Sequence, residues 1–194
     1  MIAIASIVEG DGEVAALPVL LRRMGEWLTP SIGINLSRPI RVRRDRFLNR
    51  DEEFRRYLLL AAAKCGDNGW ILVLLDADND CPATLGNQVL ERARLLVPHR
   101  RISVVLANRE YEAWFLAAAD SLHGKRGFTF DNPQNFDPER PRNAKGWLGN
   151  RMITGTYRET TDQPNFSAIM NLQQAQENSR SFRKLCSEWS KQMI

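Results

Sequence analysis

Acidic residues in this chain fall at the ends of apolar runs. Glu9 follows Ile2-Ala3-Ile4-Ala5-Ser6-Ile7-Val8 directly, and Asp76, Asp78 and Asp80 follow Trp70-Ile71-Leu72-Val73-Leu74-Leu75. Glu110 and Glu112 come shortly after a further apolar run, Ile102 to Ala107, and Glu13 stands a little beyond Glu9. Carboxylates are hard oxygen ligands, and a set without Cys or His favours Mg2+, Mn2+ or Ca2+ over Zn2+. Alternate side chains of an extended segment share a face, so Asp76 and Asp78 are expected to point the same way and share one ion, with Asp80 as a further partner. Each acid alone reads as loop solvation, or for Glu110 and Glu13 as a helix-start acid. Glu9, Asp76 and Asp78 together point elsewhere, because like charges gathered at one edge repel unless a cation offsets them.

The elements that must position these acids alternate along the chain. A β-branched strand is expected over 2–8, followed by an amphipathic helix over 13–28 whose start or straightness Pro18 disturbs. A short strand over 39–42 and a helix from Asp51 to a stop at Gly66 come next. The run over 70–75 is apolar on every residue, as in a strand covered on both faces. A helix over 85–96, a strand over 102–107 and a helix over 111–119 with Trp114 and Phe115 inward complete the alternation. This order predicts an α/β fold with a mostly parallel sheet flanked by helices, and ligand sites form at the carboxyl ends of such strands. Every acid named above stands at such an end.

Residues 124–165 break the pattern with Gly124, Gly127, Pro133, Pro138, Pro141, Gly146, Gly149, Gly155 and Pro164. Trp147, Leu148, Met152 and Ile153 are expected to pack part of this irregular segment on the body, and helices are expected over 166–176 and 181–193. The reading is one domain, with a core over 1–123 and an irregular, helical C-terminal extension over 124–194 packed on it.

The formal charge is +4, and no run approaches the roughly 20 apolar residues of a membrane span. The first apolar stretch lacks the basic lead of a secretory signal, so a cytoplasmic protein without membrane contact is expected. Cys65, Cys81 and Cys186 show no paired spacing, which argues against a disulfide framework or zinc knuckle. His99 and His123 are isolated and read as surface or helix-end residues. Arg38, Arg41, Arg43, Arg44 and Arg46 crowd one stretch, where Arg41, Arg43 and Arg44 are candidates to track a phosphate backbone; a solvated loop and strand edge is the plainer reading. A second basic group is Arg92, Arg94, His99, Arg100 and Arg101. There is no phosphate-binding Gly-Lys-Ser or Gly-Lys-Thr loop, so the chain itself encodes no ATPase of that kind.

Ile7-Val8-Glu9-Gly10-Asp11-Gly12-Glu13 before an amphipathic helix, with Leu74-Leu75-Asp76-Ala77-Asp78 at a later strand end, resembles the Toprim fold of topoisomerases, primases and overcoming-lysogenisation-defect nucleases. More narrowly, Ala107-Asn108-Arg109-Glu110-Tyr111-Glu112-Ala113-Trp114-Phe115, the stretch Tyr157 to Gln163 and Ser181-Phe182-Arg183-Lys184 resemble domain-of-unknown-function family 4276 over nearly the whole chain. The Toprim resemblance implies a Glu9 in acid/base chemistry or metal binding and metal-binding Asp76 and Asp78. It also implies further acids, for which Glu13, Asp80, Glu110 and Glu112 are candidates, and a lysine, for which Lys145 or Lys184 is available. Lys184 is the catalytic choice, beside Glu9, Asp76 and Asp78. The narrower resemblance implies a prokaryotic setting, with a separate ATPase or defence component as partner.

The expected function is a Mg2+- or Mn2+-dependent nuclease or related phosphodiester-transfer subunit acting on DNA or RNA, with Arg41, Arg43, Arg44, Arg158 and Arg183 as nucleic-acid contacts. The alternative is a non-catalytic Toprim-like regulatory or binding partner, with Trp147, Arg151, Tyr157 and Arg158 as its surface. A haloacid-dehalogenase-like phosphatase with Asp76 as nucleophile and Asp78 as acid is a weaker reading, because that motif normally lies on the first strand and the later paired aspartates expected for Mg2+ are absent.

Overall fold

The protein is described by a computed structural model over residues 1–131 and 136–193. Pro133, named above as part of the irregular segment, lies outside these residues. The chain runs β1 (Ile2–Val8), α1 (Asp11–Leu28), β2 (Ile34–Leu36), β3 (Ile40–Arg41), α2 (Arg44–Asn49), α3 (Asp51–Cys65), β4 (Trp70–Asp76), α4 (Pro82–Leu96) and β5 (Arg101–Ala107). Short helices α5 (Ala113–Ala117), α6 (Ala119–Leu122) and α7 (Ala144–Gly149) follow, then α8 (Glu159–Ile169), α9 (Leu172–Asn178) and α10 (Arg180–Gln192). The sheet is 5-stranded in the order β2-β1-β4-β5, with β3 also pairing β1, and every pairing is parallel. This is the α/β architecture that the alternating elements predict. No helix among the described residues is long and apolar enough to cross a membrane.

Strand alternation divides the core. Trp70, Leu72 and Leu74 of β4 enter one apolar cluster with α1, α5 and α8 to α10, while Ile71, Val73 and Leu75 enter the other with α2, α3 and α4. Both faces are covered, which is why the central strand carries no polar alternation. The C-terminal segment belongs to the first cluster: Phe128, Leu148, Phe166, Phe182, Leu185 and Trp189 are buried there among α1 and strand side chains. Helix α8 lies along α1, and Arg23 Nη1 donates to Ser167 O at 2.8 Å between them.

The differences from the sequence reading are local. Strand β2 was not expected, because 3 residues with a polar centre are too short to show a period. The arginine-rich stretch winds into α2 instead of staying a loop, since Phe47 is buried beneath it. Helix α4 starts at Pro82, where a proline at the first turn costs no hydrogen bond. Helix α1 continues through Pro18. The single helix expected over 111–119 divides into α5 and α6, and Pro164 hides α8, which begins at Glu159 well before the expected 166.

Candidate functional site

The register fixes which acids meet. Ile7 of β1 stands opposite Val73 of β4, so Glu9, just past Val8, and Asp76, the last residue of β4, lie on adjacent strands at the same carboxyl edge. Asp76 has the parity of Leu72 and Leu74, so its carboxyl turns into the α1 side of the sheet. There it is buried, and the backbone N–H of Tyr111 donates to its Oδ1 at 2.8 Å. Asp78 takes a different course. Its φ of 50° is left-handed, so strand alternation has ended, and its half-exposed carboxylate faces Arg44 Nη1 at 3.6 Å. The expected shared face of Asp76 and Asp78 is thereby corrected: one is interior and the other lies on the Arg44 side. Asp80 is also ion-paired to Arg44.

The acids that close on Asp76 come from other elements. Glu13, in the first turn of α1, and Glu112, just before α5, are 4% and 0% exposed. A Cβ on Gly10 would fall 2.2 Å from Glu13 Oε2, so any larger residue there would displace that carboxylate. Glu112 Oε1 accepts from Tyr157 Oη at 3.1 Å and from Gln163 Nε2 at 3.2 Å, which ties the C-terminal segment to this edge. Tyr111 Oη and Ser167 Oγ share a buried hydrogen bond of 3.0 Å. Lys145, in α7, donates its backbone N–H to Glu110 Oε2 at 3.1 Å and its Nζ pairs with Glu159 Oε1 at 3.2 Å.

The electrostatics follow from burial and crowding. Burial, then the nearby Asp78, pushes the Glu9 carboxyl up to about 7, against the pull of Arg44. Burial first, then Glu13 and Glu112, raises Asp76 well above the ordinary aspartate value. Glu112 is pushed up to about 8 by burial, with Lys145 opposing. Burial works against the Lys145 ammonium, yet Glu112, Glu159 and Asp76 more than offset it and hold its pKa above the usual lysine range. These are mutually repelling acids around one cation. Glu9 Oε2, Glu13 Oε2, Glu112 Oε2 and Gln163 Oε1 are buried without a hydrogen-bond partner among the described residues. Orphans of this kind are costly and call for a missing positive or donor group.

The other candidates are placed as follows. Arg44 is mostly buried; its Nε donates to Asp76 O at 3.0 Å and its Nη2 to Ala77 O at 3.4 Å, so it holds the Asp76–Asp80 turn from behind. Arg41 pairs with Asp11 at 3.1 Å, and Arg43 and Arg158 are exposed. Arg183 is spent on Gln176 O and Glu177 O at 2.9 and 2.7 Å. Lys184 lies on α10 and pairs with Glu188 Oε1 at 2.8 Å, and Glu188 in turn accepts from Ser103 Oγ on β5 at 2.7 Å. The lysine that does stand among the acids is Lys145. Tyr111 and Gln163 both lie in the stretches that carry the family resemblance; Tyr111 reaches Asp76 through its backbone N–H, and Gln163 reaches Glu112 once α8 has packed on α1.

Hard oxygens alone, several of them buried and unpartnered, fit Mg2+ or Mn2+. Among the described residues no three Asp, Glu, His or Cys side chains stand close enough to form a ready-made cage. No curated protein and no solved structure gives a significant match to the chain. A family described only as a domain of unknown function, DUF4276, matches residues 8–189. With that match spanning both the acidic edge and the C-terminal segment that closes over it, the chain belongs to the DUF4276 family.

Proposed function

We propose that the protein is a Mg2+- or Mn2+-dependent phosphodiesterase acting on DNA or RNA. One observation carries the reading: the carboxylates of Glu9, Glu13 and Glu112 each keep a buried, unpartnered oxygen beside Asp76. Glu9, Asp76, Glu13 and Glu112 would hold the cation, with Asp78 at its outer side next to Glu9. Bound there, a divalent ion supplies Lewis-acid activation of water and neutralises charge on the scissile phosphate. The chain's own groups do the rest. Tyr111 N–H and Arg44 keep the Asp76 turn in place, and Tyr157 and Gln163 hold Glu112. Lys145 supplies positive charge for the pentacoordinate phosphoryl transition state, and exposed Arg43 and Arg158 offer sequence-independent phosphate contacts.

The test is cleavage of labelled single- and double-stranded DNA and RNA by the purified protein with Mn2+ or Mg2+, beside calorimetry of the metal alone. Chelator-sensitive cleavage that Asp76→Asn abolishes is expected. Metal binding without cleavage of any substrate would instead support a non-catalytic regulatory role, and absence of metal binding would end both readings.

A further inference from the structure

Strand β5 closes the sheet on one side, pairing with β4 and with no other strand among the described residues. The direction of its backbone is fixed by one bond: Ala107 O accepts from Ala77 N at 2.9 Å, on the β4 side. In-plane alternation then turns the N–H and C=O groups of Leu106 and Val104 the other way, toward the edge that no strand covers, where the two residues are 3% and 4% exposed. Neither residue's outward group has a partner among the described residues. Both residues line a groove of about 550 Å3 between α4 and α10, with Pro82, Ala83 and Gly86 opposite and Arg180 and Lys184 on the far wall. The space is real on the α4 side, because a Cβ added at Gly86 would meet nothing within 4 Å.

An unpaired strand edge beside an apolar groove is a template for one more strand. The charge pattern selects the occupant. Arg180 and Lys184 side chains are 81% and 49% exposed, whereas their carboxylate partners Glu139 and Glu188 are buried. Glu139 presents no open oxygen: it accepts from Ser179 Oγ, Asn108 Nδ2, Arg180 Nε and Ser181 N at 2.9 to 3.2 Å. A second copy paired edge to edge would set Arg180 and Lys184 against themselves, which like-charge repulsion disfavours. We propose that the β5 edge is a docking site for an extended acidic peptide segment of a partner protein, added as a further strand with its carboxylates on Arg180 and Lys184. This proposal is independent of the phosphodiesterase reading.

Random peptides displayed on phage, selected on the full chain, test it. The expected result is enrichment of sequences in which Asp or Glu alternates with β-branched residues. Synthetic peptides of those sequences should slow amide hydrogen exchange at Val104 and Leu106 roughly tenfold or more. Gly86→Trp, filling the groove, and Arg180→Glu with Lys184→Glu, reversing its charge, should each weaken binding at least about tenfold, while Gly86→Ala should not. If Gly86→Trp fails to fold, the charge-reversed variant still decides. Basic or charge-indifferent peptides, peptides that protect other amides, no enrichment, or protection that grows with protein concentration alone would overturn the proposal.

Discussion

The backbone N–H of Tyr111 donates to Asp76 Oδ1 across 2.8 Å, so the loop after β5 caps the buried carboxyl at the end of β4. That bond satisfies one oxygen and leaves the charge of Asp76 facing Glu13, Glu112 and Glu9. Asp76→Asn keeps an acceptor for Tyr111 and removes the charge. In chelator near pH 8, melting should rise by about 2 to 8 °C, the shift expected for one or two kcal/mol in a chain of this size. Mn2+ affinity should fall at least about tenfold by calorimetry. Unchanged affinity would reduce the acids to a solvated edge.

Without divalent cation the protein should lose stability as pH rises. Glu9 and Glu112 have folded values of about 7 and about 8, against 4.5 for the unconstrained side chain, so between those values the folded state binds more protons than the unfolded one. Stability therefore declines across roughly pH 5 to 8 and levels off above it. Because a cation competes with those protons, Mn2+ should restore stability most at the alkaline end. Melting curves that are flat across this range in chelator would contradict the repulsive cluster.

Lys145 and Lys184 separate two placements of the functional cation. Lys145→Met should lower cleavage by about 100-fold or more, since it removes the charge nearest Glu112 and Asp76. Lys184→Met should leave cleavage within about twofold, the lysine being engaged with Glu188 on α10. The opposite ranking in a single-turnover assay would return the catalytic lysine to α10.

Arg44 should behave as scaffold and Arg43 as surface. Arg44→Lys keeps the charge but loses the forked contacts to Asp76 O, Ala77 O and the Asp80 carboxylate, and should cost about 2 kcal/mol by urea unfolding. Arg43→Lys should stay within about 0.5 kcal/mol. Equal effects would mean that the turn does not depend on Arg44.

Gly12 gives a test of opposite sign to helix propensity. Alanine in a helix is favoured over glycine by up to about 1 kcal/mol, yet at buried Gly12 a Cβ would fall 2.0 Å from Gln163 Oε1. Gly12→Ala should therefore destabilise by about 1 to 3 kcal/mol and loosen Gln163 from Glu112. A stabilised variant would show that α8 yields without cost.

The alternation of apolar runs with amphipathic stretches determined the parallel sheet and put Glu9 and Asp76 at its carboxyl edge, because direction along a strand is a local property of the chain. Periodicity likewise marked α3, whose span from Asp51 to a stop at Gly66 the structure reproduces. What local pattern does not carry is side-chain direction beyond the last strand residue. The left-handed backbone at Asp78 separates it from Asp76, and the burial of Arg44 makes a support of a residue that composition presents as a phosphate contact. Gln163, Tyr157 and Lys145 reach the edge only because α8 packs along α1 and α7 follows. Those contacts join residues 45 and 51 positions apart, and glycine- and proline-rich sequence between them erases the periodic signal. The tertiary structure thus decided which acids are buried together, since burial depends on what covers a residue from elsewhere in the chain.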